Sequence, residues 1–202
     1  MVSGHLQQKK GNWYIILNLH WMYVPVVLSV FYGLRRSEVL GLQWGSVDFE
    51  NKSITIQHTR IYGDSDGTDA VIERDILKRK SSYRTLPIPE TVWILLYNLK
   101  TVRYGEAPAP VDAYVCLNRE GEPVAPNYFT QCFKQFLRDN DLREIRLHDL
   151  RHTCASVLIQ NRVPLIEVQQ WLGHSTLETT ADLYAHLEYE TKLASAETLK
   201  KI

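Results

Sequence analysis

Residues 13–34 constrain the fold more than any other stretch. They are largely apolar, and on length alone they could cross a bilayer. Polar and helix-breaking residues argue against that: Asn18, His20 and Pro25 interrupt the run. It reads instead as two pieces that must be buried in a protein core. Residues 13–19 are short and rich in Ile, Tyr and Trp, which suits a strand. Residues 24–34 place Val26, Val27, Val30, Phe31 and Leu34 at spacings that suit a buried helix. A core of that kind is affordable: the chain has 202 residues, of which 45% are hydrophobic and 23% charged. A chain of this length buries roughly two thirds of its unfolded surface.

The remaining pattern is mostly helical with a small antiparallel sheet, an α+β chain. Residues 37–42 continue as a second short helix with Ser37 as N-cap, after a tight corner at Gly33-Leu34-Arg35-Arg36. Residues 53–59 alternate, with Ile54 and Ile56 on one side, and read as a strand. Residues 63–69 carry Gly and Asp and read as a loop. Residues 71–77 and 83–88 look like two strands joined by Lys78-Arg79-Lys80-Ser81-Ser82. Pro89 marks a helix start, and Val92, Leu95, Leu96 and Leu99 form its stripe. Residues 105–110 are a connector, and 114–117 an extended piece. Amphipathic helices are expected at 127–140, 148–160, from Pro164 to a stop at Gly173, and at 176–187.

Lys+Arg and Asp+Glu are 23 each, which excludes a chain blanketed in positive charge but not a local basic face. Cys116, Cys132 and Cys154 are odd in number and widely spaced, so they form no disulfide framework and no cysteine zinc site, and they suit a reducing cytosol. Residues 1–11 are polar and basic, unlike a secretory leader. Five cationic or imidazole groups fall at structurally special places. Arg35 is at a helix–helix corner, Lys78 between strands, His148 and Arg151 three apart on one helix face, and His174 after a glycine stop. If they converge, they make an oxyanion site, because a guanidinium fork offers phosphate two parallel hydrogen bonds. Arg79, Lys80 and Arg84, near Lys78, add a basic edge suited to a nucleic-acid backbone. Spacing alone does not select a nucleophile among the 11 tyrosines.

Taken singly, each residue has a plainer reading. A corner Arg is usually a solvated cap, a hairpin Lys usually faces water, and a Tyr usually packs its ring. The order of the motifs changes the balance. The chain carries Tyr32-Gly33-Leu34-Arg35-Arg36-Ser37-Glu38, Leu40-Gly41-Leu42-Gln43-Trp44, and Lys78 through Ser82 to Arg84-Thr85-Leu86-Pro87. It continues with His148-Asp149-Leu150-Arg151-His152-Thr153, Leu172-Gly173-His174-Ser175, and Thr179-Thr180 leading to Tyr184-Ala185-His186. In this order and spacing, over about residues 23–190, the chain resembles a tyrosine recombinase of the phage and conjugative-element integrase family.

The resemblance implies the fold of that family's catalytic domain and a set of roles. Arg35 and Arg151 would clamp the non-bridging oxygens of a scissile DNA phosphate, and His174 would donate to the same phosphate. His148 would assist deprotonation of Tyr184, the nucleophile, which forms a 3′-phosphotyrosyl intermediate. Lys78, preferred over Lys80 on motif alignment, would protonate the departing 5′-oxygen. Arg36, Arg79, Lys80 and Arg84 would contact DNA. Glu38 and His152 would brace the helices that hold the arginines. No cofactor and no metal is needed, since the bond energy is kept in the phosphotyrosine. The implied partners are a double-stranded recombination site and, within a synaptic complex, a homo-tetramer, in a bacterial cytoplasm at the nucleoid rather than a membrane.

The resemblance also departs from the pattern. Residues 4–19 resemble the first strands of an arm-type DNA-binding domain, making 1–20 its remnant, 21–190 the catalytic domain and 191–202 a tail helix. The helical core-binding domain expected between the first two is not found, nor is the catalytic domain's usual first helix, as if deleted internally. This predicts weakened DNA affinity and exposed apolar surface on residues 24–34. Alternatives stay open at this point: a recombination-deficient remnant that binds DNA or a full-length integrase, and a related tyrosine-class topoisomerase. A zinc hydrolase built on His148 and His152 is a further one, although Arg151 between them would repel a dication.

Overall fold

The computed structural model describes residues 21–65, 68–75, 83–178, 181 and 185. The first helix, α1, spans Tyr23–Tyr32 and buries Val24, Leu28 and Tyr32. Pro25 lies inside it without interrupting it. It lies in the first turn, where its absent N–H would have had no intrahelical partner. The Ser29 hydroxyl donates to the Pro25 carbonyl at 2.7 Å. The helix stops at Gly33, whose φ of 58° is left-handed, before the expected end at Leu34. The apolar exposure expected here is modest: Phe31 is 38% exposed, while Val26, Val27 and Val30 are half-buried.

Helix α2 spans Arg36–Gly41 and starts one residue earlier than expected, with Arg35 rather than Ser37 at the cap. The reason is Glu38, whose carboxylate accepts from the Arg35 backbone N–H at 3.0 Å and so satisfies an orphan donor of the helix start. After a 3-10 turn at Trp44–Ser46, β1 (Val47–Asp48), β2 (Ser53–Ile56) and β5 (Arg84–Pro87) make an antiparallel sheet in the order β1-β2-β5. Ile54 pairs with Leu86, and this face packs into the core.

The rest of the β region differs from the sequence expectation. β3 (His58–Ser65) and β4 (Thr68–Asp75) form a separate two-stranded ribbon, paired from His58↔Asp75 to Ser65↔Thr68. Residues 63–65 and 68–69 of the expected loop are therefore ladder. The strands either side of Lys78 are not a hairpin pair, because β5 pairs with β2. Polar, glycine-containing residues can extend a ribbon because the ladder is made by backbone groups, so composition misplaced the turn.

Four more helices complete the described chain: α3 (Glu90–Tyr104), α4 (Pro126–Asp139), α5 (Leu147–Gln160) and α6 (Leu165–Leu172). Pro89 caps α3, and Val92 and Leu96 are fully buried as the stripe predicted. Phe129, Phe133, Phe136 and Leu137 of α4 enter the same core as Leu28, Tyr32 and Leu40, each large side chain contributing about 1.5–3 kcal/mol of burial. Of the expected 176–187 helix, residues 176 and 177 form a bend and 178, 181 and 185 are helical; its other residues lie outside the described residues, as do 1–20 and 191–202. Among the described residues no helix is long and apolar enough to cross a membrane.

Candidate active site

The α1–α2 corner and the α5–α6 pair meet at Gly33. Its φ of 58° favours glycine, and a Cβ there would press on Leu172 Cδ2 of α6. The same residue's carbonyl accepts a hydrogen bond from Arg151 Nη1. Arg35, two residues on, donates from Nη2 to the Gly173 carbonyl at 3.0 Å, immediately before His174. Three sequence motifs far apart in the chain thus share one small region.

The charges in this region are uneven. Arg151 is 3% exposed, and its Nη2 is buried with no hydrogen-bond partner among the described residues. Burial, then the neighbouring Arg35 guanidinium, lower its pKa to about 9 against the partial support of Glu38. Arg35 is 39% exposed and forms an ion pair with Glu38 at 2.8 Å. Glu38 is itself 2% exposed. Burial pushes its carboxyl up, but Arg84 and Arg35 outweigh this and hold it below the usual carboxylate range. Burial first, then Arg151, Arg35 and the two other histidines, lower His174 to about 4, so it is neutral at pH 7. His148 is also lowered, by burial and then by His152, Arg151 and Arg146. These mutual effects place Arg35, Arg151, His148 and His174 in one electrostatic neighbourhood.

The structure moves two expected residues to other duties. Arg84 is not part of an exposed basic edge: its side chain is 7% exposed, pairs with Glu38 at 3.0 Å and donates from Nε to the Trp171 carbonyl at 2.8 Å. Its burial has no short-range sequence signal, because both partners lie far along the chain. His152 is exposed and stands edge-on to His148, ring centroids 4.6 Å apart, so it does not brace a helix against the core. Glu38 does hold Arg35. Arg36 is exposed and donates to Thr130 Oγ1 at 2.8 Å, beside a groove also lined by Lys134, Arg146 and His148. Lys78, Arg79, Lys80 and Tyr184 lie outside the described residues. No cluster of three metal-binding side chains occurs among the described residues. A larger cleft, at Trp21, Leu99, Arg103 and Arg119, contains none of the groups just described, so size alone does not find the site.

A cluster of buried guanidinium and neutral imidazole, short of carboxylate, fits a bound oxyanion. Comparison with known proteins gives this geometry its context. The model of the Phage integrase family matches residues 20–191. The chain is 29% identical over 198 residues to a XerC-like tyrosine recombinase of Caldanaerobacter subterraneus subsp. tengcongensis, covering 91% of this chain and 50% of that protein. It is 30% identical over 165 residues to the ICEBs1 integrase of Bacillus subtilis, covering 77% and 42%. The structure of the Tn1549 transposon integrase in complex with transposon right end DNA superposes with a TM-score of 0.69 at 25% identity, over 89% of this chain and 59% of that one. The chain thus spans about half the length of the curated relatives it matches. With the motifs in order, three of them meeting at Gly33 and a family match over most of its length, the chain belongs to the phage integrase family.

Proposed function

We propose that this chain cleaves and rejoins DNA at a recombination site through a 3′-phosphotyrosyl intermediate. The observation that carries the reading is the buried Arg151 Nη2, which has no hydrogen-bond partner among the described residues and stands beside a second guanidinium and two imidazoles. A buried donor is costly to leave unmet, and a phosphate non-bridging oxygen meets it. Arg35 keeps N–H donors beyond those used on Glu38 and Gly173. A pentacoordinate phosphorane carries more negative charge than the diester, so fixed cations stabilise it more than the ground state.

In the reaction, the Tyr184 phenolic oxygen attacks phosphorus as His148 takes its proton. The bond to the 5′-oxygen breaks, and that oxygen receives a proton from Lys78. His174, neutral at working pH, donates its N–H to the phosphate. Attack by a partner strand's 5′-hydroxyl reverses these steps. Four copies on two DNA sites complete strand exchange, at chromosomal or element DNA in the cytoplasm.

A nicked suicide duplex carrying the element's core site tests the reading. We expect a covalent protein–DNA band on denaturing gels that Tyr184→Phe abolishes while non-covalent binding persists. A band that survives Tyr184→Phe overturns the nucleophile. Folded, soluble protein that binds the duplex without any band identifies a DNA-binding remnant instead.

A further inference from the structure

We propose that Arg84 is a positioning residue for this chemistry, fixing Arg35 and the turn that bears His174 at one separation. The proposal rests on the recombinase reading and goes beyond it. Arg84 opens β5 and reaches two places at once. Its Nη2 and Nη1 lie 3.0 and 3.4 Å from the two Glu38 oxygens, and its Nε donates to the Trp171 carbonyl. Glu38 in turn holds Arg35 Nη1, and Arg35 Nη2 reaches the Gly173 carbonyl. The links close a ring: Arg84, Glu38, Arg35, then the α6 C-terminus from Gly173 back to Trp171.

Two properties of the ring suit positioning. First, the carbonyls of Trp171 and Gly173 belong to a helix end, where acceptors have no intrahelical donor and cations are favoured. Two guanidiniums satisfy them from opposite sides of one carboxylate. Second, the single Glu38 charge is shared. With Arg84 absent, a carboxylate this buried takes Arg35 as its whole counter-ion, and a fork-to-fork pair would draw Arg35 off Gly173 and away from substrate. A lysine at this position reaches Glu38 with a point charge but cannot also hold the Trp171 carbonyl in the fork's fixed geometry.

The test uses the full chain, the nicked suicide duplex, and two readouts: single-turnover cleavage and duplex Kd, and the 15N guanidinium spectrum of Arg35 without DNA. For Arg84→Met we expect cleavage to fall about 10²-fold, the scale of a misplacement of about 1 Å, with Kd changed less than about threefold. Arg84→Lys should fall about tenfold, an intermediate loss that a generic packing defect would not order in this way. The slowly exchanging Arg35 Nη protons of the parent should be averaged in both variants. Should Arg84→Met not fold, Arg84→Lys and the charge-balanced Arg84→Met/Glu38→Gln pair carry the measurement. Unchanged cleavage in folded Arg84→Lys, an equal loss of cleavage and duplex affinity, or an unaltered Arg35 spectrum would overturn the proposal. If the parent forms no covalent band, the recombinase reading fails, and the Arg35 spectrum still decides whether Arg84 sets that guanidinium.

Discussion

Arg35 and Arg151 are the same residue type brought to one neighbourhood from two regions, and the molecule treats them in opposite ways. Arg35, at the α1–α2 corner, is partly exposed and carries a carboxylate at 2.8 Å. Arg151, on α5, is almost wholly buried and rests on a backbone carbonyl, with one nitrogen unmet among the described residues. A guanidinium with a counter-ion is stable whether or not a ligand comes. One buried with only distant support from a carboxylate is a standing cost that a bound anion relieves most fully. The contrast separates a group held ready by its protein from a group held short of a partner.

The largest expected effect is on cleavage of the suicide duplex. Arg151→Ala should slow adduct formation by about 10³-fold and Arg35→Ala by about 10²-fold, because a buried donor acts in a lower dielectric than a half-exposed one. Equal losses would erase the distinction. Stability comes next, and there the signs diverge. Glu38→Ala strands Arg84 in the core and should cost about 3–5 kcal/mol in denaturant unfolding. Arg151→Met, of similar bulk, should leave the unfolding free energy unchanged or raise it by up to about 1 kcal/mol. A large loss with Arg151→Met would show that Arg151 is structural first.

Gly33→Ala should cost about 1–3 kcal/mol, since its positive φ and its closeness to Leu172 both oppose a side chain, and thermal melting would measure it. The smallest effect concerns pH. His174 is lowered from 6.5 to about 4, so between those values the unfolded chain holds a proton that the folded chain lacks. Its contribution is fully present above pH 6.5 and declines as pH falls towards 4. An imidazole NMR titration of His174 centred near 6.5 would contradict this.

Much of this site was legible in the sequence, and the reasons for the failures are physical. Arg35, His148, Arg151 and His174 sit in local patterns, a glycine corner, one helix face and a glycine stop, that fix where each side chain starts. The apolar stripes of α3 and α4 placed those helices within a residue or two. Arg84 was misread because its neighbours in sequence are basic, while its partners are Glu38 and Trp171, met only after the chain folds. The β3–β4 ribbon was misread because strand pairing depends on what lies across the ladder, which a polar glycine-containing stretch does not declare. Ser37 lost the cap to Arg35 because an acid three residues on can serve the helix start from inside.

Gly33 has one further consequence. Its carbonyl receives Arg151, its bare Cα admits Leu172, and its left-handed φ sets the direction in which Arg35 leaves α1. A single peptide unit is therefore the common bearing of three helices. Shifting any one of them unseats the others, so anion affinity should appear or vanish as a whole, with no half-assembled form that grips the ligand through one arginine alone.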